Sequence, residues 1–196
     1  MENNKLGARD FINIGIFLAL LFVVEFAVGM LGFIHPLMVV AYVAVIPVIC
    51  GIPMMLFYTK IEKFGMLTIF ALLLAGIMFF TGMGWIGGPV ILLCGLAADL
   101  IAKKGRYKSR RLTVLSYGVF SMWVACNYLP IVLTAESYGR MLSKGGYSGA
   151  YVNTLLSLVN GKTLAPLFLA CFVFGIVGGL LGRAVVRKHF EKAGIA

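Results

Sequence analysis

The chain has 196 residues, 61% of them hydrophobic and only 12% charged, an apolar fraction that a soluble domain of this length has no interior to bury. A soluble globular protein is therefore excluded. The net charge of +10 comes from 17 Lys and Arg against 7 Asp and Glu, and the basic residues lie between apolar runs rather than on one face, which argues against nucleic acid as the partner.

A helix rises about 1.5 Å per residue and the bilayer hydrocarbon is about 30 Å thick, so an apolar run of about 20 residues is the length of one crossing. In chain order the sequence predicts six: 12–33, 37–58, 64–82, 85–102, 112–134 and 163–186. Lipid offers no partner to backbone polar groups, so runs this long are expected to be helical, and the alternation of a membrane barrel is absent. The expected fold is an all-α integral membrane protein, one six-helix membrane domain over 1–196. The first apolar stretch, Phe11 to Phe33, exceeds the ~7–15 residues of a signal-peptide core and no small-x-small site follows, so it is expected to stay in the membrane. No internal repeat, low-complexity tract or linker divides the chain.

Lys and Arg in short flanking loops stay on the cytoplasmic side. One side of the six runs collects Lys5, Arg9, Lys60, Lys63, Lys103, Lys104, Arg106, Lys108, Arg110, Arg111, Arg183, Arg187, Lys188 and Lys192. The other has Arg140, Lys144 and Lys162, so both termini are expected to be cytoplasmic. The connections on that second side are unequal. Ile34-His35-Pro36 and Met83-Gly84 are short, whereas 135–162 is long and carries Glu136, Tyr138, Tyr147, Tyr151, Asn153 and Asn160. Long loops usually have a task, and Tyr151 to Val159 is apolar enough to fold back onto the bundle. An outward pocket lidded by this segment is expected; a surface loop without a ligand is the alternative.

Glu25 is the one acid in the middle of a run. A carboxylate there costs about 2.5–3.5 kcal/mol on the insertion scale, so it should face the bundle interior. It either contacts a ligand or makes a structural hydrogen bond to Asn127, Tyr128 or Tyr42. Asn127 and Tyr128, just before Pro130, and Trp85 fall at the same level and would suit a pocket for a flat or amphipathic molecule, although an interfacial aromatic belt also accounts for Trp85. His35 is a candidate for contact with a metal-containing ligand, or a solvated loop residue. Met30 and Met83 are soft side chains near the same face. These residues, with Tyr138, Tyr147, Tyr151 and Asn153 of the long segment, form the candidate substrate site.

Small residues permit close helix contact. Gly15-x-x-x-Ala19 in the first run is read as a surface for a partner protein, and Gly175, Gly178, Gly179 and Gly182 in the sixth as internal packing. Pro47, Pro53, Pro89, Pro130 and Pro166 read as kinks, and Asp99, four residues before Lys103, as a structural i, i+4 pair. Cys50, Cys94, Cys126 and Cys171 each lie in an apolar run without C-x-x-C spacing, so free thiols are expected and no metal site or resident cofactor. Enzyme motifs fail: Gly161-Lys162-Thr163 lacks the first glycine of a P-loop, Leu156 standing there, and H-E-x-x-H, G-x-S-x-G and paired intramembrane carboxylates are absent. The chain is expected not to be an enzyme.

Three segments carry a resemblance: Lys5-Leu6 with Arg9 through Phe17, GIPMMLFYTKIEKFG from Gly51 to Gly65, and GLAADLIAKKGRYKSRR from Gly95 to Arg111. In these the chain resembles the Trep-Strep (MptD-type) S components of energy-coupling factor transporters over nearly its whole length. The resemblance implies a six-helix subunit that captures a micronutrient from outside and works with a transmembrane T component and two ATPases, toppling in the membrane to deliver the ligand. It also implies that small residues on the first helix, here Gly15 and Ala19, meet the T component; this sequence has Gly15 where Ala is usual. Haem or another metal chelate, or a vitamin, is the substrate class so implied. A ligand-free membrane scaffold or regulatory subunit is the competing expectation.

Overall fold

The computed structural model describes residues 6–81 and 84–190; Lys5, Met83 and Lys192 lie outside them. The described residues contain helices and no strand. Helix α1, Ala8–Gly29, tightens into a 3-10 turn at Met30–Phe33, and α2, Pro36–Lys60, follows. The start of α2 is a capped turn: the His35 Nδ1 accepts the Leu37 N–H at 3.1 Å and Pro36 opens the helix, where its missing N–H costs nothing. Next come α3, Met66–Phe80, and α4, Gly84–Lys104. The fifth run folds in three pieces, α5 Arg110–Ser121, a 3-10 stretch Met122–Tyr128 and α6 Leu129–Leu133. After α7, Ala135–Lys144, and α8, Gly149–Leu158, the long α9 spans Gly161–Val185.

Among the described residues five helical stretches are long and apolar enough to cross a bilayer: Ala8–Phe33, Pro36–Lys60, Trp85–Lys104, Arg110–Leu133 and Gly161–His189. The remaining expected crossing, 64–82, is a helix of 15 residues, which rises only about 22 Å against a hydrocarbon of about 30 Å. Its start is fixed locally. Gly65 adopts φ +103 and ends the chain turn that precedes α3, and the buried Asp99 of α4 caps the helix there, accepting the Gly65 N–H at 2.8 Å, the Thr68 N–H at 3.2 Å and the Thr68 hydroxyl at 3.0 Å. Asp99 also accepts the Tyr107 hydroxyl at 3.1 Å. Burial, then the Asp99 charge, push the Tyr107 phenol above its ordinary range. Lys103, the expected partner of Asp99, lies over the Phe64 ring instead, 4.7 Å from its centre.

Arg110–Leu133 is the central strut. Its most apolar window is 67% buried, against 28% for the first and last stretches, whose outer faces expose Ile16, Leu20, Leu169 and Leu180 as lipid-facing residues would be. The 3-10 stretch runs for seven residues, longer than such turns usually last. Pro130 lacks the N–H that would bond the carbonyl of residue 126, which removes one of the α-helical bonds at this point.

The closest helix contact is α2 against α9. A Cβ built on Gly178 would overlap the Pro47 carbonyl, one on Gly51 the Gly178 carbonyl, and one on Gly182 the Gly51 carbonyl. Two helices thus touch backbone to backbone, as the glycines of the sixth run lead one to expect. Hydroxyls lock the remaining contacts: Tyr117 donates to the Pro47 carbonyl at 2.6 Å, Ser116 to the Ala98 carbonyl at 2.6 Å, and Ser121 to the Cys171 carbonyl at 2.8 Å. Between them runs a chain of rings, Phe17, Phe57, Phe70 and Phe120, with successive centres 5.2–5.6 Å apart. All four cysteines are free and buried.

At one end of the bundle the Lys63 ammonium meets the Asp10 carboxylate at 2.9 Å and Arg183 reaches the Arg110 carbonyl at 3.4 Å. This basic end also holds Lys60, Lys103, Lys104 and Arg111 at helix ends and Arg106 and Lys108 in the turn between α4 and α5. Gly15 has nothing within 4 Å of a built Cβ, in contrast to Gly178. Gly178→Ala should therefore destabilise the purified protein by about 1–3 kcal/mol, the usual cost of overpacking, while Gly15→Ala leaves it unchanged; thermal unfolding in one detergent, the two variants side by side, checks the contrast.

Candidate functional site

The segment 135–162, expected as a long loop, is a helical hairpin. Its first arm α7 is half apolar and its second, α8, starts at Ser148, whose hydroxyl accepts the Tyr151 N–H at 3.2 Å. Val152 and Leu155 of α8 and the following Val159 are buried against the bundle, so the apolar stretch does fold back. The Tyr151 hydroxyl donates to the Gly32 carbonyl at 2.6 Å and ties α8 to the turn after α1. Asn160 then caps α9: its Oδ1 accepts the Lys162 N–H at 2.9 Å, and the Thr163 hydroxyl accepts the Asn160 N–H at 2.9 Å. The Gly-Lys-Thr string is thus a helix start, not a phosphate loop.

Under this hairpin, at the end opposite the basic turns, lies a cavity of about 370 Å³. From α1 it takes Phe22, Glu25, Phe26 and Gly29, which recur every three or four residues and so share one helix face. Tyr42 comes from α2, Asn127 and Tyr128 from the 3-10 stretch, Tyr138 from α7 and Tyr151 from α8. Tyr147, between the hairpin arms, stacks on Phe33 with centres 6.2 Å apart and lies 4.7 Å from the Tyr151 ring. The irregular stretch before Pro130 brings the consecutive Asn127 and Tyr128 both to the lining. Tyr128 is anchored by donating to the Val39 carbonyl at 2.5 Å.

Glu25 is the one acid of the lining and is only 4% exposed. Its Oε1 accepts the Tyr42 hydroxyl at 3.1 Å, the third of the hydrogen-bond partners weighed from the sequence. Its Oε2 is buried with no hydrogen-bond partner among the described residues. Leaving one carboxyl oxygen unsatisfied costs on the order of 1–3 kcal/mol, more if it is charged, and buried groups of this kind mark functional sites in membrane helices. Among the described residues the lining has no Lys, Arg or His. Burial pushes the Tyr138 phenol up to about 12 and holds Tyr147 and Tyr151 above their ordinary value, the neighbouring tyrosines adding to the shift at Tyr138 and Tyr151. The hairpin's phenols are therefore neutral donors and acceptors at physiological pH.

Six of the nine residues expected at the site share this lining: Glu25, Asn127, Tyr128, Tyr138, Tyr147 and Tyr151. His35 is outside it because its imidazole caps α2 at an exposed turn. Trp85 is 64% exposed on the outer side of α4, where an interfacial aromatic would be, and Asn153 faces outward from α8 opposite the buried Val152 and Leu155. Met30 lines the cavity, as do Met38 and Met78. Phe22, Phe26, Phe33 and Tyr42 as lining residues were missed; for the first two the available signal was on α1, where Glu25 and Phe26 follow Phe22 by three and four residues and so share its face. Gly15 and Ala19 are exposed on α1 towards the basic end. A second hollow, about 540 Å³, lies on the flank between Met122 and α9 and is walled by Leu164, Phe168 and Phe172, with no polar side chain to orient a ligand.

A family described as hypothetical bacterial integral membrane protein (Trep_Strep) matches residues 8–192. The chain belongs to the Trep_Strep family. No curated protein and no solved structure matches it. For a Trep_Strep protein the exposed apolar faces of α1 and α9 are what an integral membrane setting requires, and the same setting accounts for Phe80 of α3 and Leu133 of α6 standing outside the core. Within this Trep_Strep fold the hairpin is held to the body by few polar contacts, of which the Tyr151 hydroxyl bond is one. Tyr151→Phe should loosen it: amide exchange over 135–160 is expected to rise about fivefold, the equivalent of about 1 kcal/mol for one lost hydrogen bond, with exchange in α5 and α9 unchanged.

Proposed function

We propose that this chain is the substrate-capturing S subunit of an energy-coupling factor importer in a bacterial plasma membrane. The observation that carries the reading is the cavity itself, set at the end away from the basic turns, roofed by a helical hairpin and holding a buried carboxylate with an unused oxygen. By the positive-inside rule the basic end faces the cytoplasm, so the cavity faces outward. In this reading α3, with its flanking turns, makes the sixth crossing. The chain contains no nucleotide-binding motif, so the energy comes from two partner ATPases coupled through a T component, and the subunit topples to release its ligand inward.

Gly15 and Ala19 support the partner half of the proposal. They are exposed, side by side one turn apart on α1, and a built Cβ on Gly15 meets nothing, which leaves room for another helix backbone to come close. A scaffold without a ligand would leave both the cavity and Glu25 without a purpose. Haem fits less well than a smaller micronutrient: its two carboxylates would find no basic side chain in the lining.

Purification from cells grown in rich medium, with mass spectrometry of whatever small molecule comes along, is the direct test; a stoichiometric bound molecule is expected. Uptake of that molecule should fall at least about tenfold in Glu25→Leu. Unchanged uptake together with a more stable protein would move the assignment to a scaffold. Gly15→Leu and Ala19→Leu should abolish co-purification with the T component and leave ligand binding intact.

A further inference from the structure

The proposed capture function leaves open what chemistry the cavity recognises, and its lining is unusually one-sided. Five tyrosines, Tyr42, Tyr128, Tyr138, Tyr147 and Tyr151, and three phenylalanines, Phe22, Phe26 and Phe33, present ring surface around one carboxylate. No basic side chain lines it. The nearest ionic pair at that end, Glu136 with Arg140 at 3.6 Å, is on the outside of α7 with both side chains largely exposed, so its field is screened by solvent. Glu25 receives one hydrogen bond, from Tyr42, and its other oxygen receives none from the described residues.

Resting on the capture reading, we infer that the cavity selects a small ligand with a flat apolar body and a cationic nitrogen, the nitrogen seated against Glu25. A cation answers two features at once. An N–H of a protonated amine or heterocycle satisfies the vacant Oε2 with a charge-assisted hydrogen bond, stronger than a neutral one. The aromatic walls attract positive charge through their ring faces, an interaction that strengthens where water is excluded. An anion would meet the same rings and carboxylate with the opposite sign and no compensating cation. A neutral ligand would keep the apolar contacts and forgo the charge term. The stacked Phe33 and Tyr147 rings with Tyr151 beside them offer the flat surface against which a planar body lies.

Three molecules of one shape separate the possibilities: tryptamine, a cation at neutral pH, tryptophol, its neutral counterpart, and indole propionate, an anion. Binding of each to the purified subunit in nanodiscs is measured by titration calorimetry. Tryptamine is expected to bind at least about tenfold more tightly than the other two, and Glu25→Gln is expected to erase that preference while leaving tryptophol unchanged. Equal or tighter binding of tryptophol or indole propionate by the native protein overturns the cationic class, as does a tryptamine preference that survives Glu25→Gln. If Glu25→Gln does not remain monodisperse, the order of the three probes on the native protein decides the matter by itself. Absence of binding by all three also overturns it for ligands of this size. The capture reading is judged separately by the co-purifying molecule and its uptake, so either idea can fail without the other.

Discussion

The rest of the structure depends on the backbone contact between α2 and α9. Pro47, Gly51, Gly178 and Gly182 bring two helices so close that a single Cβ at any of the three glycines would meet a carbonyl. In lipid, where burying apolar surface gives helices no advantage over staying apart, this dispersion contact is one of the few forces that can order them. It positions α2, and α2 carries Val39 and Tyr42 to the cavity wall. The central strut is then held to the pair by Tyr117 on the Pro47 carbonyl and by Ser121 on the Cys171 carbonyl. Side-chain hydroxyls here use carbonyls that already belong to helices, which lets polar groups be buried without orphaning them.

The two ends of the bundle solve different problems. At the basic end, charge is neutralised or capped: Asp10 with Lys63, Asp99 with the start of α3 and with Tyr107. The two acids Asp10 and Asp99 thus have donors at that end. At the far end the fifth run loses its α-helical pattern before Pro130, and a cavity is roofed by α7 and α8. The one buried carboxyl oxygen without a partner among the described residues is at that end. The paired acids and the unsatisfied carboxyl oxygen thus lie at opposite ends of the bundle.

The aromatic character of the far end follows from the same geometry. A hairpin of two ten-residue helices buries little apolar area of its own, so the rings that seat it, Tyr138, Tyr147 and Tyr151, serve both to hold the roof and to line the space beneath. Tyr151 shows the double use, with its hydroxyl on the Gly32 carbonyl and its ring on Tyr147.

Much of this was legible in the residues alone. Runs of about 20 apolar residues leave a chain no choice but helices across a bilayer, the sixth run's glycines announced close packing, and a lone mid-run glutamate with a long tyrosine-bearing segment pointed to one end of the bundle. What sequence could not decide was set by contacts between elements distant in the chain. Where α3 begins depended on Asp99, more than thirty residues away from Gly65 and Thr68, accepting their N–H groups. That 135–162 becomes a roof depended on Tyr151 meeting Gly32 across 119 positions. His35, Trp85 and Asn153 have the right chemistry and height for a site, but orientation about a helix axis and the use of a side chain as a cap are tertiary facts. Composition and periodicity therefore determined the class of fold and the end that carries the chemistry, because both follow from the solvent each residue must face. Only packing decided which side chains meet, because that depends on how helices are rotated and cut, and neighbours in space set those terms.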